Sequence, residues 1–400
     1  MRVRSRLGFG LERNAALLLW GLFFVSAAFG TSDRFKTLYI ESLGASPAVI
    51  GIILGVAEAI RLAFLLAAGA LSDRMKPSTM LRMRWGSVVT AVVWLGALQW
   101  WMLLPAFISQ ATANFAWPAV SRVIDESGAP EDRQRRFLLI FTVAPGVALL
   151  GAPVLGAALA EWFGLRSVFV ILVIGCVASS LLFHKVCPKN DVRRPSSGSY
   201  REVLRHRPSL LICTLTLLTT FVTHLGLTLS PNYLHNETGM SYGLIGSYGA
   251  LVAVGSIAAG LFLARMRRLR QTLDGALVVG CFLPLVFALF LLDTSAIAAG
   301  VAFFLSGIAS VVQQTYAPAI SEVTPAAIRT RAYALIEAMG AGGVMFAGFA
   351  AGALYTLSPR LPFQVAFVLA LVAMLLTLAA RRDIRVWKMA GSPMPAGGAG

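Results

Sequence analysis

Residues 47–74 read PAVIGIILGVAEAIRLAFLLAAGALSDR. This stretch is apolar for most of its length and exceeds the roughly 20 residues that a helix needs to cross a bilayer. Glu58 and Arg61 interrupt it, and because they are three residues apart they share a helix face and can pair. A charge at the bilayer centre costs about 2.5–3.5 kcal/mol even on the lenient insertion scale. The stretch therefore predicts a membrane helix that does more than anchor the chain.

The composition of the whole chain predicts an all-α membrane protein. Its 400 residues are 57% hydrophobic and only 13% charged, whereas about 25% of residues are charged in soluble domains. Apolar runs of about 20 residues recur, while barrel strands would be about 10 residues long with strict alternation. We expect twelve transmembrane helices, at residues 15–41, 47–72, 85–104, 105–124, 136–160, 166–186, 209–234, 241–264, 273–292, 295–320, 331–356 and 361–380.

The positive charges predict the orientation of the chain. Of the 34 lysines and arginines, 29 lie on the side of the predicted spans that carries both termini, and four lie on the other side. This bias indicates a multi-pass protein of the cell (inner) membrane with both termini in the cytoplasm. The net charge of +16 is therefore explained by lipid headgroups, and we expect no nucleic-acid partner.

The two halves of the chain repeat. Residues 44–51 (GASPAVIG) match residues 239–246 (GMSYGLIG) at Gly, Ser, Ile and Gly, with an offset of 195. Residues 118–121 (PAVS) match residues 318–321 (PAIS), with an offset of 200. Matches in the same order at nearly one offset indicate a duplication. The first apolar run also has a counterpart in the second half, so we expect it to be a helix and not a cleaved signal.

The duplication predicts the domain organisation. We expect two pseudo-symmetric six-helix bundles, at residues 1–186 and 209–382. A cytoplasmic linker at 187–208 should join them, since it is polar and rich in basic residues. The last residues, 383–400, end in a Gly/Ala/Pro-rich sequence and are predicted to be a disordered tail.

Two motifs resemble those of a known family. Residues 69–74 (GALSDR) follow the second span and resemble the G-x-L-a-D-r-x-G-r-k signature of the major facilitator superfamily. Gly146, Gly151, Pro153 and Gly156 resemble the G-x3-G-P-x2-G-G motif of its proton-coupled antiporters. The resemblance implies the fold of that superfamily, with two six-helix bundles that expose a central site to each side in turn.

The first motif implies a gate. By the resemblance, Gly69, Asp73 and Arg74 form this gate motif, and Asp73 contacts the start of the eleventh helix from the other half. Arg74 could pair with Asp125 or with Glu126 at the end of the fourth helix. The alternative is an ordinary solvated loop.

Charged residues inside the predicted spans are candidates for proton coupling, because ionisable groups in membrane helices are rare and usually functional. Each also has a structural alternative. The pair of Glu58 and Arg61 could be a static link between helices, and Asp33, beside Arg34, could belong to a salt bridge at the outer end of its helix. The candidates for coupling or cavity charge are Glu58, Arg61, Asp33 and Glu337.

Polar and aromatic residues at membrane depth are candidates for the substrate cavity. Such side chains must find hydrogen-bonding partners, which could be a substrate or another helix. The candidates are His224, Asn114, Trp117, Gln313, Gln314 and Tyr316. Glycines on the second, fifth and eleventh spans, including Gly51, Gly55, Gly146 and Gly151, are expected to allow close helix packing.

The sequence favours a secondary active transporter that moves a small molecule by alternating access, with proton-coupled efflux as the first hypothesis. The alternative is a proton symporter or uniporter for uptake of a small polar or anionic solute. An enzyme is not expected, since the sequence carries no nucleotide loop, metal cluster or nucleophile constellation, and we expect no cofactor and no metal. The expected partners are the substrate, protons and membrane lipid, and the expected state is a monomer.

Overall fold

The computed structural model describes residues 11–72, 75–127, 136, 139–188, 200–266, 273–325 and 329–391. Every regular element in these ranges is a helix. A short linker helix, Tyr200–Arg205, lies between two groups of longer helices. In chain order, the longer helices are α1 (Arg13–Ser42), α2 (Pro47–Ser72), α3 (77–96), α4 (100–126), α5 (Leu139–Phe163), α6 (Leu165–His184), α7 (Arg207–Asn236), α8 (Tyr242–Arg265), α9 (Asp274–Leu292), α10 (296–323), α11 (Arg329–Leu357) and α12 (Leu361–Gly391).

The helices confirm a multi-pass, all-α membrane protein. Within the described ranges, ten of them are long and apolar enough to cross a bilayer. The other two, α3 and α4, are built from shorter pieces joined by 3-10 turns or a bend. The exact number of twelve spans therefore stays a prediction.

The predicted boundaries of the third and fourth spans were wrong. The predicted spans were 85–104 and 105–124, whereas α3 begins at Pro77 and ends at Gly96, and α4 begins at Trp100. Proline is favoured in the first turn of a helix, where its missing N–H is not needed. Pro77 and Pro105 both occupy such first turns, so each marks the beginning of a helical piece. Arg82 and Arg84 therefore lie within α3 and not in the loop before the predicted third span.

The end of the second bundle also differs from the prediction. The bundle was expected to end at residue 382, but α12 continues to Gly391. The predicted tail beyond Gly391 lies outside the described residues. Residues 189–199 of the predicted linker also lie outside them.

The helices of the two groups break at corresponding positions. α1 ends in the seven-residue piece Lys36–Ser42, and α7 ends in the seven-residue piece Ser230–Asn236. These pieces start 194 positions apart, close to the offset of the sequence repeat. Gly44 and Gly239 follow them with φ values of 88° and 69°, which glycine adopts without the steric cost of a Cβ atom. The duplication is therefore visible in the backbone.

Two helix pairs hold the groups together. Within the first group α1 packs on α5 and α6, and within the second group α7 packs on α11 and α12. Between the groups, α2 packs against α11 and α5 packs against α8. A site shared by the two groups must therefore lie between these two seams.

Candidate functional site

The close approaches between the two groups are concentrated at one end of the helices. We call the end that carries loops 43–46, 237–241 and 358–360 the closed end, and the opposite end the open end. At the closed end of the α2–α11 seam, a Cβ atom built on Gly51 would lie 2.6 Å from the carbonyl oxygen of Gly348 and 2.6 Å from Cα of Gly352. Backbones approach this closely only where glycine leaves room.

The α5–α8 seam is closed in the same way. A Cβ atom on Gly246 would lie 2.8 Å from Cβ of Ala157, and one on Gly249 would lie 2.6 Å from Cβ of Pro153. Gly51 and Gly246 are the last glycines of the repeated motif, so each half contributes one copy of that motif to the closed end. The prediction of close packing is confirmed for Gly51 and Gly55, since Gly55 faces the ring of Phe349.

Two carboxylates of the first group accept hydrogen bonds from the second group at the closed end. Glu41 on α1 accepts from the side-chain amides of Asn232 and Asn236 on α7. Glu161 on α5 accepts from the backbone N–H of Gly243 at 2.7 Å, in the first turn of α8. A carboxylate there also interacts favourably with the helix dipole. The closed end is thus latched by polar contacts as well as by glycine packing.

Removing Glu41 is expected to loosen the closed end. In Glu41→Ala the amide of Asn232, a residue only 2% exposed, loses its acceptor. A buried donor without a partner costs about 1–3 kcal/mol, which shifts a two-state equilibrium about 5- to 150-fold. The measurement is the distance between spin labels on Ser46→Cys and Thr356→Cys. Both positions are exposed, at the closed ends of α2 and α11. We call them the outer reporter pair.

The labelled protein needs a background in which the four native cysteines are replaced by serine. Glu202→Ala, on the exposed face of the linker helix, is the matched control and should leave the distances unchanged. A distance distribution for Glu41→Ala that matches the parent protein would remove Glu41 from the latch. The native cysteines are Cys176, Cys187, Cys213 and Cys281.

The two groups separate toward the open end. A Cβ atom built on Gly146 of α5, Gly260 of α8 or Gly340 of α11 would meet no atom within 4 Å. Glu337 of α11 is exposed. The prediction that the glycines of α5 pack closely was therefore wrong for Gly146 and Gly151 in this state, because neither touches a neighbour. It holds for Gly156, where a Cβ atom would collide with the backbone of Thr31 on α1.

Glu58 and Arg61 form the predicted ion pair. The Arg61 Nη1 atom lies 3.0 Å from Glu58 Oε2, and the Arg61 side chain keeps 43% of its surface exposed. Ile52, which is 53% exposed, precedes Arg61 by nine residues and so lies about 180° away around α2. The charge of Arg61 also acts on the imidazole of His224 on α7. The pair therefore faces the space between the groups and not the side on which Ile52 is exposed.

Asp33 pairs with its own helix. Its carboxylate lies 2.5 Å from Lys36 Nζ, and 54% of its side-chain surface is exposed. Arg34 turns to the second group instead, where its guanidinium carbon lies 5.0 Å from the ring centre of Phe303 on α10. His224 is half-buried and lies within the fields of both Arg34 and Arg61. These side chains surround one space between α1, α2, α7 and α10.

The other candidates for the substrate cavity differ in how much of their surface is exposed. Gln314 is exposed, while Gln313 and Asn114 are half-buried. Trp117 lies 6.2 Å from the ring of Phe141 on α5, so one of its partners is another helix.

Tyr316 does not line the central space. It is fully buried in the core of the second group, beside residues such as Val312 and Ile320. Its hydroxyl points toward Thr219 and Thr377, which line a small internal cavity between α7, α9, α10 and α12. The expectation was wrong because the rotation of α10 about its axis is not fixed by its sequence pattern.

The gate motif is described only in part. Gly69 lies near the end of α2, whereas Asp73 and Arg74 lie outside the described residues. Asp125 belongs to the last turn of α4, and its side chain also lies outside the description. Glu126, the other expected partner of Arg74, pairs with Arg122 at 3.0 Å on its own helix.

Sequence reasoning missed an internal cation, Arg84. This residue is 3% exposed within α3, and its guanidinium carbon lies 5.7 Å from the ring centre of Trp117 and 5.8 Å from that of Phe183. No carboxylate in the described ranges pairs with it. It was counted as a loop charge because the third span was predicted to begin only at residue 85. The early proline at position 77 was the signal that the helix begins sooner.

The carboxylate of Glu41 was also missed as a latch, although a signal for it existed. Glu41 stands three residues before Gly44, and Asn236 stands three residues before Gly239. The two residues are thus repeat-equivalent positions. In an assembly with approximate two-fold symmetry, equivalent positions near the axis can meet each other.

Two helical groups that are closed at one end, open at the other and lined by charges between them define a membrane transporter and not an enzyme. Comparison with known sequences gives the family. The profile of the Major Facilitator Superfamily matches residues 18–316, and the chain belongs to this superfamily. The suspected family is thereby confirmed.

A relative with known sequence similarity agrees with this assignment. The chain is 29% identical over 226 residues to a multi-drug resistance efflux pump PmrA homolog from Lactococcus lactis subsp. lactis (strain IL1403). That match covers 53% of this chain and 54% of the relative, so the chain spans about half the length of the curated relative that it matches.

Solved structures share the fold at low sequence identity. A peptide transporter POT is 13% identical, with a TM-score of 0.77 over 96% of this chain and 97% of that chain. A bacterial homologue of the iron transporter ferroportin in an inward-facing state is 14% identical, with a TM-score of 0.71 over 92% of this chain and 98% of that chain. These similarities support the fold alone.

Proposed function

We propose that this transporter exports a small molecule in exchange for protons, by alternating access between its two helical groups. The observation that carries the proposal is the ion pair of Glu58 and Arg61 in the space between the groups. A carboxylate there can take up a proton when its cationic partner turns to the substrate, because a charge left unpaired inside a membrane protein is costly. The relative named as a multi-drug efflux pump supports the export direction.

The bias of positive charges supports the orientation. The ends of the helices at the open end lie beside the clusters of lysine and arginine, so we place the open end in the cytoplasm. The protein then faces inward, with both termini in the cytoplasm, in the cell (inner) membrane. We propose a monomer organised as the two predicted bundles and linker, because the seams described above lie within one chain.

The gate motif completes the cycle in this proposal. When the closed end opens, the open end must close, and Asp73 would then meet the first turn of α11 from the other group. Arg74 would pair with Asp125, since Glu126 is held by Arg122. A carboxylate in such a position gains about 0.3–1 kcal/mol from the helix dipole.

The proposal is tested by neutralising Glu58. Glu58→Gln is expected to abolish substrate movement driven by a pH gradient into acidified inverted membrane vesicles, with a fall of ~10-fold or more. Exchange of labelled for unlabelled substrate without a gradient should continue, because it needs no proton transfer. The measurement is uptake of fluorescein and of rhodamine 123, with and without a protonophore.

Asp293→Asn is the matched control for Glu58→Gln. Asp293 lies in the loop between α9 and α10, where hydrogen bonds from the backbone N–H and hydroxyl of Ser295 lower the pKa of its carboxyl. Its neutralisation should leave gradient-driven uptake unchanged. If Glu58→Gln instead keeps the full response to the gradient, proton coupling through Glu58 is refuted.

Uptake of a small polar or anionic solute is the second candidate function. The cations Arg34 and Arg61 in the central space favour it. The two candidates separate by the direction of movement in proteoliposomes with an imposed pH gradient. An antiporter moves substrate against the direction of proton flow, a symporter moves it with the protons, and a uniporter ignores the gradient.

A further inference from the structure

Among the described residues of the central space, Arg34 is a cation that no carboxylate contacts directly. Within the described ranges it has no salt bridge and no hydrogen bond from its guanidinium group, which lies over the ring of Phe303. The adjacent carboxylate of Asp33 is held by Lys36 at 2.5 Å. Arg61, by contrast, is neutralised by Glu58 at 3.0 Å. The two ion pairs therefore cancel, and Arg34 is left as the excess charge.

Arg34 reaches across the space between the two groups. It is half-buried on α1, yet it lies over a ring of α10, and a Cβ atom built on Gly249 of α8 would lie 3.5 Å from its Cγ atom. By helical rise it lies about 12 Å below Ser42, the last residue of α1 at the closed end. The guanidinium thus sits beneath the closed end, at the roof of the space that widens toward the open end.

Glu41 lies about 10 Å above Arg34 by helical rise and accepts hydrogen bonds from two asparagine amides, so among the described residues it does not pair with Arg34 directly. Glu337 is exposed on α11, but it lies about 30 Å below the closed end of that helix, so it is about 18 Å deeper than Arg34. Across that distance, in a space open to water and salt, the attraction between two charges is largely screened. Among the described residues at the roof, Arg34 is therefore a cation that no carboxylate contacts.

We propose that the substrate is a lipophilic organic anion. Its acidic group, a carboxylate or sulfonate, binds the guanidinium of Arg34, and its apolar or aromatic body packs against Phe303. An unpaired charge inside a membrane protein costs several kcal/mol, so an anion gains by supplying the missing partner while a cation is repelled. A guanidinium is also the side chain best suited to bind a carboxylate through two parallel hydrogen bonds. This inference rests on the proposed function, because it takes the central space as the transport site.

The test is equilibrium binding to the purified full-length protein. Fluorescein and rhodamine 123 share a xanthene scaffold but carry opposite charges, and their fluorescence anisotropy reports binding without any gradient. The wild-type protein is expected to bind fluorescein ~10-fold or more tightly than rhodamine 123. Arg34→Gln should lose that preference, and Arg34→Lys should keep part of it.

Two further variants separate a charge effect from a folding defect. Arg34→Glu should reverse the preference and favour rhodamine 123, which a merely unfolded protein would not do. Arg13→Gln, at the exposed start of the same helix, should leave both affinities unchanged.

Three results would overturn the inference. These are equal or tighter binding of rhodamine 123 by the wild-type protein, no binding of fluorescein at all, or unchanged fluorescein binding by a folded Arg34→Gln variant. Because binding is measured without a pH gradient, each of these results leaves proton-coupled export open. Conversely, loss of coupling in the vesicle experiment leaves the anion site open.

Discussion

Replacing Gly51 by leucine is expected to hold the closed end apart. A Cβ atom at this position would lie 2.6 Å from the backbone of α11, at Gly348 and at Gly352, and backbone atoms cannot rotate away as a side chain can. The helices must separate, and overpacking of this kind costs about 1–3 kcal/mol. That cost falls on the state in which the closed end is sealed and is absent when it opens. The equilibrium should therefore shift about 5- to 150-fold toward the outward-open state.

The outer reporter pair measures this shift directly. In Gly51→Leu the distances between the labels on residues 46 and 356 should lengthen, and steady-state transport should fall because the protein no longer returns to the inward-facing state. Unchanged label distances in a folded, membrane-inserted Gly51→Leu protein would contradict the role of this seam.

Gly151→Leu is the matched control for this experiment. Gly151 is also a glycine of a membrane helix, but it is exposed and a Cβ atom there meets nothing within 4 Å. Its side of α5 carries Val154 and Leu155, which are about half exposed. A leucine should be accepted at this position, so any effect of Gly51→Leu cannot be assigned to a bulky residue in a membrane helix as such.

The architecture could be predicted because its signals are long and repeated. Apolar runs of about 20 residues identify membrane helices whatever their packing. The repeated motif from Gly44 to Gly51 then related the two halves, and the structure gives its glycines two distinct tasks. The first ends a helix at positive φ, and the last lets two groups meet.

The site could be predicted only in part, because a membrane helix is apolar on its lipid face and on its core face alike. The sequence pattern then does not fix the rotation of the helix about its axis. The ion pair of Glu58 and Arg61 could be predicted, since a spacing of three residues puts both charges on one face of a helix. Tyr316 was misplaced, because an aromatic hydroxyl is compatible with a cavity wall and with the interior of a bundle. The rotation of α10 is decided by its packing against α7, α8, α9 and α11.

The seam faces of α5 and α8 continue toward the open end, where they matter in the opposite phase of the cycle. Gly146 follows the seam face of α5 toward the open end, since it precedes Ala157 by 11 residues and so lies about 20° from it around the helix. On α8, Gly260 stands in the same relation to Gly249. Both seam positions are empty in this state, because a Cβ atom on either glycine meets nothing within 4 Å.

We expect α5 and α8 to meet at these two glycines when the open end closes. Gly146→Leu should then block closure and hold the protein inward-facing, with transport lowered ~10-fold or more by a side chain that the seam cannot accept. Binding of a dye from the open end should be retained. Gly151→Leu, about 160° away from Pro153 on the same helix, should transport at the parental rate.

Spin labels across the open end distinguish this block from unfolding. Thr79→Cys on α3 and Leu210→Cys on α7 are exposed in opposite groups near that end. In the parent protein a proton gradient and substrate should populate a second, shorter distance between these labels, and Gly146→Leu should abolish it while leaving the first. If Gly146→Leu still reaches the shorter distance, the two helices do not close along this face, and the open end must seal through α2 and α11 alone.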